Sequence, residues 1–177
     1  MKFIKKIGVI LISTSLIYIF AVIILKKVIF PLKYETIVNK YAEQNNVDKY
    51  LVFSVIKKES NFKSDAISSK EAKGLMQVLD STAKEITKEE AVELLNEEDN
   101  IEIGTKYLKY LIDKYDGDIL LALCAYNAGL GNVDNWIKNE TIITDGEADI
   151  AKIPFQETKQ YVKNVLTYYY VYMNLYN

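Results

Sequence analysis

An uncharged run of nineteen residues, Ile7 to Leu25, is the strongest constraint on how this 177-residue chain can fold. As a helix it would be ~28 Å long, at ~1.5 Å per residue, which is enough to cross the hydrocarbon core of a bilayer. A cleaved signal peptide has a shorter apolar core ending in small residues, whereas this run ends at Lys26 and Lys27. We therefore predict a transmembrane signal-anchor over about residues 7–25 within an N-terminal segment, 1–30, and a second domain over residues 31–177.

The composition of the remaining chain excludes several classes of function. After residue 27, 17 lysines against 24 acidic residues leave a formal charge of −7, so we expect no nucleic-acid partner. The sequence has no histidine, and Cys124 is its only cysteine. This argues against a zinc site and against Ser-His-Asp or Cys-His catalysis. We expect no metal and no cofactor, and a chemistry that relies on carboxylates and hydroxyls.

Helical periodicity continues through most of the chain after Pro31, and no segment shows sustained period-two alternation. The sequence predicts an all-α domain of roughly 145 residues, large enough to bury a core. Asp48 and Asp80 are predicted to cap two of its helices. The most apolar helix, which includes Cys124 as a small buried residue, is expected at the centre. The predicted helices cover residues 34–44, 48–59, 80–86, 100–114, 119–127, 133–138 and 156–176.

Glu59 is an acid where the surrounding pattern calls for an apolar side chain. Residues 52, 55, 56, 59 and 62 share one face of the predicted helix, and the other four are apolar. Burial raises the pKa of a carboxyl group and keeps it protonated near neutral pH, which is the state that a general acid needs. From spacing alone, a partly solvated residue at the helix boundary is the more common interpretation of such a Glu.

Four sequence blocks contain groups that do not suit a hydrophobic core. They are ESNF at 59–62 with AIS at 66–68 and GLMQ at 74–77; NI at 100–101 with Gly104 and YL at 107–108; AYNAG at 125–129 with Gly131; and IPFQET at 153–158 with Tyr161, Val162 and Val165. In this order and spacing they resemble the soluble-lytic-transglycosylase-like family of peptidoglycan-cleaving enzymes, whose lysozyme-like helical fold is related to goose-type lysozyme. The resemblance covers about residues 36–172.

The resemblance implies that Glu59 is the single catalytic acid and base. It would protonate the glycosidic oxygen between N-acetylmuramic acid (MurNAc) and N-acetylglucosamine (GlcNAc), and then deprotonate the muramic C6 hydroxyl as that oxygen closes on C1. The product would be 1,6-anhydro-MurNAc, formed without water. Ordinary glycosidases need a second carboxylate, whereas here the substrate supplies its own nucleophile.

The resemblance also implies that five further residues bind the substrate: Ser68, Gln77, Tyr126, Asn127 and Tyr161. Ser68 and Gln77 match positions that contact the sugar and line the cleft. Tyr126 and Asn127 would face the cleft beside the catalytic acid, and Tyr161 would lie close to it. From the residues alone, Ser68 also suits a turn, and Asn127 also suits the end of a helix.

Two other acids in these blocks need separate interpretations. Glu71 stands where the family commonly has Gly, so the shape of the loop near Ser68 stays open, and we expect a solvated side chain. Glu157 is expected at the start of the last helix, where a negative charge is favourable, and we interpret it as structural.

The sequence thus predicts a membrane-anchored lytic transglycosylase acting on peptidoglycan glycan strands. Lysines on the two sides of the apolar run nearly balance, so they favour a cytoplasmic N-terminus only weakly. The extracytoplasmic placement of the catalytic domain follows from where the substrate lies. A hydrolytic muramidase and a noncatalytic peptidoglycan-binding module are the alternatives. No sequence feature indicates a protein partner.

Overall fold

The computed structural model describes residues 2–89 and 91–176, with the backbone alone described for residues 2–5 and 7–10. The chain divides into two units between Lys33 and Tyr34. The first unit is helix α1 (Lys2–Ile24), continued by a π-helical turn (Leu25–Ile29). Within the described residues, Leu11–Ile29 is the one stretch of helix long and apolar enough to cross a membrane. The helical backbone thus continues past residue 25, where the predicted span ends.

The second unit consists of seven α-helices and one small hairpin in the described part of the chain. The helices are α2 (Glu35–Gln44), α3 (Lys49–Glu59), α4 (Asp80–Thr87), α5 (Glu97–Lys114), α6 (Ile119–Ala128), α7 (Leu130–Lys138) and α8 (Gln156–Tyr176). A short 3-10 helix, Ile150–Lys152, precedes α8.

The hairpin differs from the sequence prediction, which contained no strand. Strand β1 (Ile143–Thr144) pairs antiparallel with β2 (Glu147–Ala148). Asp145 and Gly146 connect them with φ values of 52° and 85°, as a two-residue hairpin turn requires. Two-residue strands are too short to show alternation, and the Asp-Gly pair at 145–146, which favours a turn, is the sequence feature that marks the hairpin.

Polar side chains cap the starts of three of the described α-helices, α3, α5 and α6. The Asp48 carboxylate accepts the Tyr50 backbone N–H at 2.7 Å, so the predicted cap of α3 is present. Asn96 caps α5, which therefore begins before the predicted residue 100. The prediction that Asp80 caps α4 is wrong, because Asp80 is the first helical residue and makes no capping bond. Its carboxylate instead pairs with Lys73 at 2.7 Å, and an acid in the first turn still favours the helix.

The hydrophobic core is built around two helices. All residues of α3 from Tyr50 to Ile56 are buried, and so are Leu121 to Ala125 of α6, including the free Cys124. Helix α3 packs against α2 and α8, while α6 packs against α5, α7 and α8. Helix α8 therefore contacts both, and α6 shares the centre with α3.

Residues 60–79 connect α3 to α4, and a buried side chain of α5 holds this connection, the α3–α4 loop, in place. The Asn100 side-chain oxygen accepts the Met76 N–H at 2.7 Å, and its amide nitrogen donates to the carbonyls of Lys73 and Leu94, both at 2.8 Å. Gly74 has φ of 74°, and a Cβ there would lie 2.3 Å from the Asn100 amide nitrogen. The close approach of this loop to α5 therefore requires glycine.

Candidate active site

Glu59 is the last residue of α3, half-buried at the point where the chain enters the α3–α4 loop. The three apolar residues that precede it on the same face, Val52, Val55 and Ile56, are fully buried. Ser60 follows, and its hydroxyl donates to the Leu75 carbonyl at 2.8 Å. The end of the helix is thereby attached to the loop that forms the opposite side of the site.

The pKa of the Glu59 carboxyl is raised to about 7, mainly because burial disfavours the charged form. The Tyr161 hydroxyl and the positive charge of Lys58 favour the carboxylate and oppose this rise, and the negative charge of Glu157 adds to it. A carboxyl group with this pKa is present in both protonation states near neutral pH. It can therefore donate a proton in one step and accept one in the next.

Tyr161 of α8 is buried next to Glu59. Its hydroxyl makes no hydrogen bond of ordinary geometry with the described residues, although it is close enough to favour the Glu59 carboxylate. Burial, together with the Glu59 charge, holds the Tyr161 pKa well above its usual value. The phenol is therefore a neutral donor beside the acid.

Ser68 and Gln77 shape the α3–α4 loop with their own side chains. The Ser68 hydroxyl oxygen accepts the N–H groups of Lys70 at 3.2 Å and Ala72 at 3.0 Å, as in the turn that the sequence left open. The Gln77 amide nitrogen donates to two loop carbonyls, at 2.9 and 3.0 Å. The Ser68 hydroxyl proton and the Gln77 side-chain oxygen make no hydrogen bond within the described residues, so they can serve a ligand.

Tyr126 and Asn127 connect the end of α6 to its neighbours. The Tyr126 hydroxyl donates to the Met76 carbonyl of the α3–α4 loop at 2.8 Å. The Asn127 side-chain oxygen accepts a hydrogen bond from the Thr158 hydroxyl of α8 at 2.8 Å. This bond fixes the amide and leaves its N–H groups without a partner among the described residues.

These residues surround one cleft of about 240 Å³. Its walls are Glu59, Ser68, Ser69, Lys70, Ala72, Gln77, Leu79, Tyr126, Asn127 and Glu157. Five of the six predicted site residues lie there, while Tyr161 is buried behind the acid. An adjoining cavity of about 320 Å³ shares five of these wall residues and extends to Tyr107 and Gly129. We call the two cavities together the groove. The cleft at Glu59 is its inner cavity, and the adjoining cavity is its outer cavity.

The groove includes residues that were not predicted as part of the site. Glu157 is exposed in the first turn of α8, as expected, but it also lines the cleft. Tyr107 packs its ring 5.4 Å from that of Tyr126, and both Tyr107 and Thr158 lie inside the sequence blocks. No sequence pattern indicated that Lys70 lines the groove, because sequence spacing does not show where a loop side chain points. Within the described residues, no three His, Cys, Asp or Glu side chains are grouped so that they could hold a metal ion.

Glu71 adopts the left-handed backbone conformation that glycine favours, with φ of 63°. Its N–H donates to the Ser68 carbonyl at 3.0 Å, and its side chain is exposed as expected. The left-handed region costs a residue with a Cβ roughly 1–2 kcal/mol. The loop therefore keeps a path suited to Gly, although Glu occupies the position.

Comparison with known proteins identifies the family to which the sequence and the fold belong. The chain is 35% identical over 152 residues to the soluble lytic murein transglycosylase of Escherichia coli strain K12, covering 81% of this chain and 24% of that protein. It is 34% identical over 116 residues to the membrane-bound lytic murein transglycosylase C of Serratia proteamaculans, covering 57% of this chain and 32% of that protein. The chain thus spans about a quarter to a third of the length of these relatives.

A solved structure, an inactive Glu-to-Gln mutant of the lytic transglycosylase Slt from Pseudomonas aeruginosa, shares the fold. The TM-score is 0.74 with 34% sequence identity, over 82% of this chain and 24% of that one. The sequence model of the transglycosylase SLT domain matches residues 36–146, which is more than half of the chain. The lysozyme-like fold predicted from the sequence blocks is thus confirmed, and the protein belongs to the transglycosylase SLT domain family.

Proposed function

We propose that this protein is a membrane-anchored lytic transglycosylase that cleaves the MurNAc–GlcNAc β-1,4 bond of peptidoglycan and forms 1,6-anhydro-MurNAc. The observation that carries the proposal is the half-buried Glu59 carboxyl, with a pKa of about 7, in the wall of the groove. The family membership and the names of the relatives, lytic murein transglycosylases, support the reaction class.

In the proposed reaction, protonated Glu59 gives its proton to the glycosidic oxygen as the bond from that oxygen to muramic C1 breaks. The carboxylate formed then takes the proton of the muramic C6 hydroxyl while O6 bonds to C1. Glu59 ends protonated, and no water is consumed. Burial raises the free energy of the Glu59 carboxylate, so this carboxylate is basic enough to accept a proton. Because its pKa stays near neutral pH, the protonated form is also acidic enough to donate one.

The surrounding side chains have positioning roles in this proposal. The Tyr161 hydroxyl is free to donate a hydrogen bond to the Glu59 carboxylate when it forms. Asn127, held by Thr158, offers amide N–H groups to the sugar, and Ser68 and Gln77 offer a hydroxyl and a carbonyl oxygen. Tyr126 uses its hydroxyl for the loop, so its ring is the surface available to the sugar.

A hydrolytic muramidase is the second candidate, because Glu157 places another carboxylate in the cleft. In that reaction Glu157 would activate a water molecule while Glu59 protonates the leaving group. The first-turn position of Glu157 on α8 explains its presence without such a role, and this favours the transglycosylase.

The apolar helix and the membrane-bound name of one relative suggest membrane association. We propose that the helix crosses the membrane once and that the SLT domain, within residues 31–177, lies outside the cytoplasmic membrane, where peptidoglycan is found. The anchor would restrict cleavage to glycan strands near the membrane.

Product analysis distinguishes these candidates. Full-length protein in detergent should release fragments ending in 1,6-anhydro-MurNAc from purified peptidoglycan, as read by mass spectrometry. Reducing ends, which contain the added water, would establish the muramidase, and their loss on Glu157→Gln substitution would assign the second carboxylate. Binding without any release of fragments would indicate a noncatalytic module.

The rate of cleavage should fall as the pH rises above about 7. The protonated fraction of Glu59 limits the first step, and it decreases about tenfold for each pH unit above the pKa. The Glu157→Gln variant removes a charge that raises this pKa, so its decline should begin at lower pH. Initial rates between pH 3 and 9, on the same peptidoglycan, measure both profiles. A decline beginning near the pKa of an exposed Glu, about 4.3, would show that Glu59 is solvated and not tuned by burial.

A further inference from the structure

Lys70 is the only positively charged residue among the described residues that line the groove. It belongs to the walls of both cavities and therefore lies at their junction. Its side chain is exposed, and its ammonium group makes no hydrogen bond or ion pair with the described residues. The bond that involves Lys70, from its backbone N–H to the Ser68 hydroxyl oxygen, leaves the side chain free to contact a ligand.

Lys70 places a positive charge in the groove of a domain whose net charge is negative. The chain after residue 27 has a formal charge of −7, which opposes the approach of an anionic polymer. Among the described residues that line the outer cavity, Lys70 is the only charged one, while Glu59 and Glu157 line the inner cavity. Among the described residues that line the groove, an anion would therefore find its positive partner at this junction.

We propose that Lys70 binds a carboxylate of the glycan strand and thereby favours strands that contain muramic acid over neutral N-acetylglucosamine chains. The proposal rests on the proposed function, which makes peptidoglycan the substrate. Each muramic residue carries a lactyl group whose carboxyl is either free or joined to a stem peptide that has carboxylates of its own. An ammonium group recognises either source in the same way.

Lys63 provides a matched control for Lys70. It lies in the same α3–α4 loop, is exposed and carries the same charge, but it does not line the groove. Glutamine keeps most of the length of the side chain and removes the charge, and the Lys70 backbone bond to Ser68 is unaffected by the substitution. Lys70→Gln and Lys63→Gln should both fold as the original protein does.

The test measures how tightly full-length protein binds three ligands. They are peptidoglycan fragments with stem peptides, peptide-free glycan strands with free lactyl carboxylates, and neutral N-acetylglucosamine oligosaccharides. In the Glu59→Gln background, Lys70→Gln should weaken binding of the carboxylate ligands about two- to fivefold, the upper part of the range for one exposed ion pair. Binding of the neutral oligosaccharide should not change, and Lys70→Arg should restore most of the affinity.

In the active protein, Lys70→Gln should raise KM for peptidoglycan without lowering kcat, and added salt, which screens exposed charges, should reduce this difference. A larger effect with peptide-bearing fragments assigns the stem carboxylates, and a larger effect with peptide-free strands assigns the lactyl group. Equal weakening for the neutral oligosaccharide, or equal behaviour of the Lys70→Gln and Lys63→Gln variants, would overturn the proposal. If the unmodified protein binds peptidoglycan but cleaves none, the proposed function fails, while the binding comparison still decides the role of Lys70.

Discussion

Glu59→Gln is expected to lower the rate of peptidoglycan cleavage by about 10²–10⁴-fold, the usual contribution of general acid–base catalysis. Glutamine has nearly the shape of glutamic acid, but it has no acidic proton to give and cannot accept one. Both proton transfers of the proposed reaction would be lost together. Release of anhydro-muropeptides by full-length protein in detergent, followed by chromatography over time, measures the loss.

The same variant should retain its fold and its binding to peptidoglycan. The position is half-buried, and an amide there avoids the cost of burying a charge above pH 7. A matched control is Glu157→Gln, which removes the other carboxylate of the cleft and should reduce the rate far less at about pH 6, below the Glu59 pKa. Substantial residual activity in folded Glu59→Gln, or an equal loss in Glu157→Gln, would show that Glu59 is not the single acid and base.

Asn100→Ala is expected to reduce the free energy of unfolding of the SLT domain by about 3–4 kcal/mol. The substitution leaves the Met76 N–H and the Leu94 carbonyl without the partner that Asn100 supplies, while the Lys73 carbonyl keeps a second donor, a backbone N–H at 3.0 Å. Each buried unsatisfied group costs about 1–3 kcal/mol. Trp136, the only tryptophan, is buried with its ring edge-on to Phe155 at 5.0 Å. Its fluorescence during urea or thermal unfolding should therefore report on this domain separately from the apolar helix.

Asn174→Ala is the control for this experiment, because Asn174 is exposed on α8 and bonds a carbonyl of its own helix. It should change the free energy of unfolding by no more than about 0.5 kcal/mol. A similar small change for Asn100→Ala would mean that water satisfies the backbone groups that Asn100 leaves. The position of the α3–α4 loop would then have to depend on its apolar contacts, among them the fully buried Leu75 and Met76.

The helices and the position of Glu59 were predictable from the sequence because both depend on local patterns. Helical spacing placed α3 within one residue, and an acid on an apolar face indicated partial burial of its carboxyl group. Asp80 was misassigned because an acid suits both the cap and the first turn of a helix. The Leu79 carbonyl already accepts the Ala83 N–H at 2.9 Å, so the helix begins one residue before the predicted cap allows. The start of α5 was placed late because its first turn is polar and has no apolar periodicity.

The groove was less predictable, because it forms where distant parts of the chain meet. The resemblance named the catalytic acid and four substrate-binding residues that now line one cleft, and these roles stay predictions. The bond between Asn127 and Thr158 joins residues 31 positions apart, and no local pattern predicts it. The same holds for the hydroxyl of Tyr126, which donates to the Met76 carbonyl 50 positions earlier in the chain.

Glu71 shows how this enzyme fold can vary the surface next to its groove. Replacing it with glycine would relieve the left-handed conformation, but it would also give the unfolded chain more freedom, so the two effects on folding oppose each other. The turn closed by Ser68 and the contacts of Asn100 determine the path of the loop, and residue 71 follows that path. Exchange of Glu71 for glycine is therefore close to neutral for folding, and it would change the charge met by an incoming glycan strand while the groove keeps its shape.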